Sequence, residues 1–141
     1  MRRYALLLLV GGLVGCQSTT DTFELGPTDA DVSGTFALSL INGSALPAIA
    51  RVTATEEWDL TADTLRISGD STWTETSSYV VTTLADGSTV PAQSVASGVY
   101  VVAEKQINFT MRVGGTASFV GAVQGSALTV LFNDSHFVYL R

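Results

Sequence analysis

Cysteine, histidine and lysine are each present once in this 141-residue chain, as Cys16, His136 and Lys105. A single cysteine excludes an intramolecular disulfide. One histidine and one cysteine leave too few ligands for a conventional zinc site, which takes three or four from the protein. Basic residues number seven against thirteen acidic ones, the opposite of the basic footprint that nucleic-acid binding leaves. No apolar run reaches the roughly 20 residues of a membrane-spanning helix. The longest, Ala5 to Val14, has about ten. Gly-x-Ser-x-Gly, His-Glu-x-x-His and a glycine-rich phosphate loop are all missing. Asp134-Ser135-His136 has the residue types of a catalytic triad. The three are contiguous, however, so on a strand Ser135 points away from both neighbours and no relay can form. The chain is therefore not expected to be an enzyme or to need a cofactor.

What is present begins with an address. Met1-Arg2-Arg3-Tyr4 is a short basic start, the apolar run follows, and Leu13-Val14-Gly15-Cys16 closes it. A basic start, an apolar stretch and small residues form an export signal. Leu-Val-Gly-Cys in that place resembles the lipobox of bacterial lipoproteins. The resemblance implies that residues 1–15 are removed and that Cys16 is lipidated and becomes the new N-terminus. One acyl chain holds a protein only marginally, whereas two or more anchor it stably. Gln17, where such lipoproteins carry Asp for inner-membrane retention, implies the outer membrane, facing the periplasm. Losing Arg2 and Arg3 deepens the formal charge from −6 to about −8. Residues 16–31 carry Asp21, Glu24, Asp29 and Asp31 with no base, interrupted by Gly26-Pro27. That composition buries too little apolar area to order itself, so this stretch is read as a flexible acidic tether.

Residues 32–141 are expected to form one all-β domain. Val, Thr and Ser dominate it, and β-branched residues favour strands. Turn signals recur at about the 8–12-residue spacing of an all-β barrel or sandwich. They include Asn42-Gly43, Ala62-Asp63, Gly69-Asp70, Glu104-Lys105, Gly125-Ser126 and Asn133-Asp134. Between them apolar residues alternate with period two, as in Ile107/Phe109/Met111/Val113 and Leu128/Val130/Phe132, the pattern of a half-buried strand. Only Pro47 to Leu60 offers a helical turn as a competitor. Two segments of equal spacing, Val102 to Ile107 and Val123 to Leu128, each read as a hairpin. Val102 then faces Ile107, Tyr100 faces Phe109, and Gly121 faces Val130. A meander of about eight or nine such strands, closed on itself, loses its exposed edges.

Gly34-Thr35-Phe36-Ala37-Leu38 with Asn42-Gly43-Ser44-Ala45-Leu46-Pro47 resembles the opening of small bacterial lipoproteins with a lipocalin-like domain. So do the hairpins Thr64–Ile67 to Thr72-Trp73 and Gly98–Val102 to Ile107–Thr110, and the ending Val138-Tyr139-Leu140-Arg141. The resemblance implies a single antiparallel up-and-down β-barrel. Lipocalins open with Gly-x-Trp, the ring packing under a basic residue near the last strand; Gly34-x-Phe36 and Arg141 occupy those places here.

Trp73, Glu75 and Tyr79 are the candidate ligand contacts at a lumen mouth. If the turn around Gly69-Asp70 spans an odd number of residues, Trp73 and Glu75 point inward with Leu65 and Ile67. If it spans an even number, they point outward with Arg66, because a one-residue slip inverts a strand. The family resemblance favours the odd count. Glu56-Glu57-Trp58-Asp59, with Asp63 nearby, lacks the spacing of a calcium loop and reads as a solvated hairpin end. Two uses of the barrel remain. Small inward residues (Ala96, Gly98, Gly121) leave room for a small apolar ligand, whereas Phe36, Phe109, Met111, Phe132 and Phe137 fill the lumen. In the filled case the protein acts through its surface, where Val138 and Leu140 suit a contact with a protein partner.

Overall fold

The computed structural model describes residues 31–141. Cys16, the signal segment and the tether up to residue 30 lie outside the described residues. Ten strands follow one another without a helix among those residues: β1 (Gly34–Ile41), β2 (Ser44–Ala45), β3 (Ala48–Val52), β4 (Glu56–Ile67) and β5 (Thr72–Thr83), then β6 (Thr89–Ala103), β7 (Gln106–Val113), β8 (Ser118–Gln124), β9 (Ala127–Phe132) and β10 (Ser135–Leu140). Each pairs antiparallel with its neighbours, and β1 pairs with both β10 and β4. That double pairing closes β1 and β4 to β10 into an eight-stranded up-and-down barrel, with β2 on β1 and β3 on β4 as additions.

The hairpins have the expected registers: Val102 faces Ile107, Tyr100 faces Phe109, Val123 faces Leu128 and Gly121 faces Val130. Asn42-Gly43 and Asn133-Asp134 hold positive φ at both turn residues, the geometry whose twist matches flanking strands. Two expectations are corrected. Pro47 to Leu60 contains no helical turn: Ala48–Val52 pairs as a strand with residues 57–60 of β4. Ala62-Asp63 is not a turn but lies inside β4, just past a bulge between Leu60 and Ala62. An extra residue in a ladder reverses the alternation beyond it, so Leu60 and then Asp63, Leu65 and Ile67 face inward.

The chain's turns divide the barrel into two ends. At the end bearing the β4–β5, β6–β7 and β8–β9 turns, Phe36, Ile67, Trp73, Ile107, Phe109, Val123 and Leu128 are almost wholly buried. This floor is sealed by rings: Trp73 meets Phe109 edge-on at 6.0 Å, and its indole N–H donates to the Val99 carbonyl at 3.1 Å. Arg141 closes it from outside. Its guanidinium lies 5.3 Å from the centre of the Phe36 ring and donates to the carbonyls of Ser33 and Gly125. The small inward residues do not open space here. A Cβ on Gly98 would run into the Thr110 carbonyl and Trp73, and one on Gly121 would stand 3.2 Å from Phe109. Large side chains on neighbouring strands fill what the glycines leave.

At the other end the strands are unequal. β7 pairs with β6 only over Ser97–Ala103, so Thr89–Val95 has β5 alone as neighbour. β3 likewise pairs only with β4. A four-stranded sheet, β3-β4-β5-β6, thus continues where β1 and β7 have stopped.

Candidate functional site

Five residues separate Ile67 from its partner Trp73, and Leu65 pairs with Glu75. The count is odd, and β5 turns Trp73, Glu75, Ser77 and Tyr79 inward. These residues do not form one mouth. Trp73, at 1% exposure, belongs to the floor. Tyr79 lies further along, in a shallow groove of about 280 Å³ with Ala50, Arg51, Trp58 and Ser94. There it meets the Trp58 ring edge-on at 5.7 Å, while Arg51 covers Trp58 at 4.1 Å. Of the three, only Glu75 borders the half-open pocket within the barrel.

That space is a cavity of about 50 Å³. Its deeper wall is Leu65, Glu75, Val130 and Tyr139; its outer wall, near the β7–β8 and β9–β10 turns, is Met111, Phe119, Phe132 and Phe137. At about 10–15 Å³ per water on this scale, it holds roughly three to five water-sized groups. A drug-sized pocket is several times larger.

A polar layer crosses the barrel beside the cavity. The bulge in β4 turns Asp63 inward, where it is 5% exposed and accepts the Ser77 hydroxyl at 2.6 Å. Tyr139, from β10, donates its hydroxyl proton to Glu75 Oε1 at 3.2 Å. The same hydroxyl also faces Asp63. It has one proton to give, and Asp63 Oδ1 is left buried without a donor. Burial, and then the charge of Asp63, push Glu75 up to about 7. Burial likewise raises Asp63, against the lowering influence of the Ser77 hydroxyl and of the nearby Tyr139 hydroxyl. Tyr139 is held far above the usual phenol range by its burial and by both carboxyls. Two carboxyls in an apolar barrel, opposed only by hydroxyls, resist carrying two negative charges.

Sequence did not single out Ser77, took Tyr139 only as an apolar position of an alternating row, and named Asp63 only as a turn residue and a neighbour of the acidic cluster. Asp63 had a legible signal, since Asp63, Leu65 and Ile67 form one alternating row, but Asp beside Ala62 also reads as a turn. Glu56 lies on β4 at the start of the projecting sheet and accepts the Trp58 indole N–H at 3.1 Å. Among the described residues no group of three or more His, Cys, Asp or Glu could hold a metal ion. Asp134 is a turn residue at positive φ, and the backbone N–H of His136 donates to Asn42 Oδ1; these residues tie β10 to the β1 turn. On the outer face, Val138 is half-buried and Leu140 exposed. Comparisons with protein-family models, curated proteins and solved structures found no match to this chain.

Proposed function

We propose that this chain is a bacterial lipoprotein, anchored through Cys16 at the outer membrane and facing the periplasm, whose lipocalin-like barrel binds a small molecule. It acts by binding, without catalysis. The observation that carries the binding reading is the cavity with Glu75 in its wall. A carboxyl turned into an apolar barrel costs free energy, and a sequence selected for a packed core alone would place an apolar side chain there. The cavity is too small for a whole lipid, and Glu75 makes a purely apolar occupant costly. A ligand would enter by a small polar head, its remainder lying among the outer rings. Leu13-Val14-Gly15-Cys16 supports the anchor, and the closed fold with Arg141 over Phe36 supports the lipocalin-like reading.

The free edge of β6 favours a second reading, in which the packed barrel works through surface contacts with a protein. Val90 and Val95 on that strand are 59% and 54% exposed. Native mass spectrometry on the full chain carrying Cys16→Ser, purified gently from the periplasm, separates the two. An added mass lost on denaturation supports the lumen. A bare mass, unchanged after incubation with envelope extract, supports the surface. The anchor has its own test: wild-type chain should fractionate with membranes and Cys16→Ser should not.

A further inference from the structure

We propose that the cavity beside Glu75 receives the head of a small alkylammonium ion, with the Glu75 carboxylate as counter-ion and aromatic rings as walls. The inference rests on the lumen-binding reading and names its ligand class.

Three features select a cation. The outer wall is largely aromatic, from Phe119, Phe132 and Phe137, and the face of such a ring attracts cations. Among the described residues the only ionisable ones in the wall are Glu75 and Tyr139, and none of the wall residues is a base that competes for the carboxylate. The third is the unmet need of Asp63, whose buried Oδ1 lacks a donor while the Tyr139 proton is spent on Glu75. An ammonium brings three donors. Once it supplies Glu75, the Tyr139 hydroxyl is released to turn to Asp63, so one ligand satisfies both carboxyls. Size then limits the ligand. Space for about three to five heavy atoms accommodates the nitrogen and about two to four carbons, with any longer chain passing between Phe132 and Phe137.

The proton balance follows. With Glu75 raised to about 7 by burial and by the charge of Asp63, the empty site carries a proton on Glu75 below neutral pH. Binding converts the Glu75 carboxyl and a free alkylammonium into a carboxylate–ammonium pair plus one proton released to water. The titratable groups facing Glu75 are Asp63 from β4 and Tyr139 from β10; β7, β8 and β9 contribute Met111, Phe119, Val130 and Phe132 to the wall, none of which titrates. With Glu75 near 7, affinity should rise about tenfold from pH 6 to pH 8 and then level.

The test is titration calorimetry on the full chain carrying Cys16→Ser, with n-butylammonium, n-butanol and butyrate at pH 6 and pH 8. We expect n-butylammonium to bind at least tenfold more tightly than n-butanol, butyrate to give no heat of binding, and the pH 6 titration to release about one proton. Glu75→Gln should cost at least tenfold in n-butylammonium affinity and abolish the pH dependence. The ligand and pH comparisons need no variant, so a misfolded Glu75→Gln would not rescue the idea. If n-butanol binds as well as n-butylammonium, the ammonium assignment fails and the lumen reading stands. Binding that ignores pH removes Glu75 as counter-ion and overturns the proposal. If none of the three binds, the ammonium proposal falls, and the lumen reading is decided separately by the mass measurement above.

Discussion

Trp73 and Glu75 stand two residues apart on the same inward face of β5, yet their surroundings could hardly differ more. Around Trp73 every opening is filled by a matched partner: Gly98 makes way for the indole, Gly121 for Phe109, and the Val99 carbonyl takes the indole proton. Around Glu75 the chain leaves about 50 Å³ unfilled, buries two carboxyls together and gives one of them too few donors. The floor is built for stability and the opposite half forgoes some of it. Buried polar groups without full partners cost stability wherever they occur, so their concentration in one half marks that half as the candidate site.

The largest expected effect tests the floor. Phe109 touches the rings of Trp73 and Tyr100 and stacks on Phe119 at 4.7 Å. Phe109→Ala should cost about 3–5 kcal/mol in urea unfolding, the range for a buried aromatic. A loss below about 1 kcal/mol would mean the floor is not the stabilising half.

Next comes the acidic layer, whose effect should have the opposite sign. The folded protein holds Glu75 near 7 and Asp63 above its usual range, so between about pH 4.5 and 7 it binds more protons than the unfolded chain. Stability must then fall as pH rises through that window and level above it. At about 1.4 kcal/mol per pKa unit, and with Glu75 only partly shielded from water, the penalty at pH 8 is roughly 2 kcal/mol. Glu75→Gln should remove most of that slope and raise the midpoint at pH 8. A parallel decline in variant and wild type would place the pH dependence elsewhere.

These two halves were unequally legible. Where turns are two residues long, as at Glu104-Lys105 and Gly125-Ser126, spacing alone fixed the pairing, and the floor's alternating rows followed. The site depended on parity. Whether Glu75 faced inward turned on counting a longer loop; Asp63 continued the row of Leu65 and Ile67, but Ala62-Asp63 also read as a turn, and nothing in Asp59-Leu60-Thr61-Ala62 announces the bulge that keeps it in the strand. Ala96, Gly98 and Gly121 suggested room because the strands whose side chains fill it are brought there only by the closed barrel. Tyr139 read as one more apolar position in an alternating row, since a sequence does not say what a tyrosine hydroxyl will face across a lumen.

A third prediction sharpens the contrast within one residue type. Phe132 lines the outer cavity wall and is half-buried. Its truncation to Ala removes less area from burial and widens an existing space, so about 1–2 kcal/mol is expected, using the transfer value per unit of apolar area. A cost equal to that of Phe109→Ala would erase the distinction between the two halves.

The smallest effect concerns the free edge. Val95 faces outward from β6, opposite Thr76, on a stretch with no strand on its other side. Unpaired backbone groups next to exposed valines form a template for another strand, and lysine on such an edge is a common guard. The domain's only lysine, Lys105, sits in a distant turn. Val95→Lys should change the unfolding free energy by no more than about 0.5 kcal/mol, as expected for an exposed surface position. If the edge pairs with a second copy or a partner protein, the same change should weaken that association, visible as a lower sedimentation coefficient at high concentration. A stability loss above 1 kcal/mol would instead show that the projecting sheet is packed as tightly as the floor, and that the contrast between the two ends of the molecule is smaller than its side chains suggest.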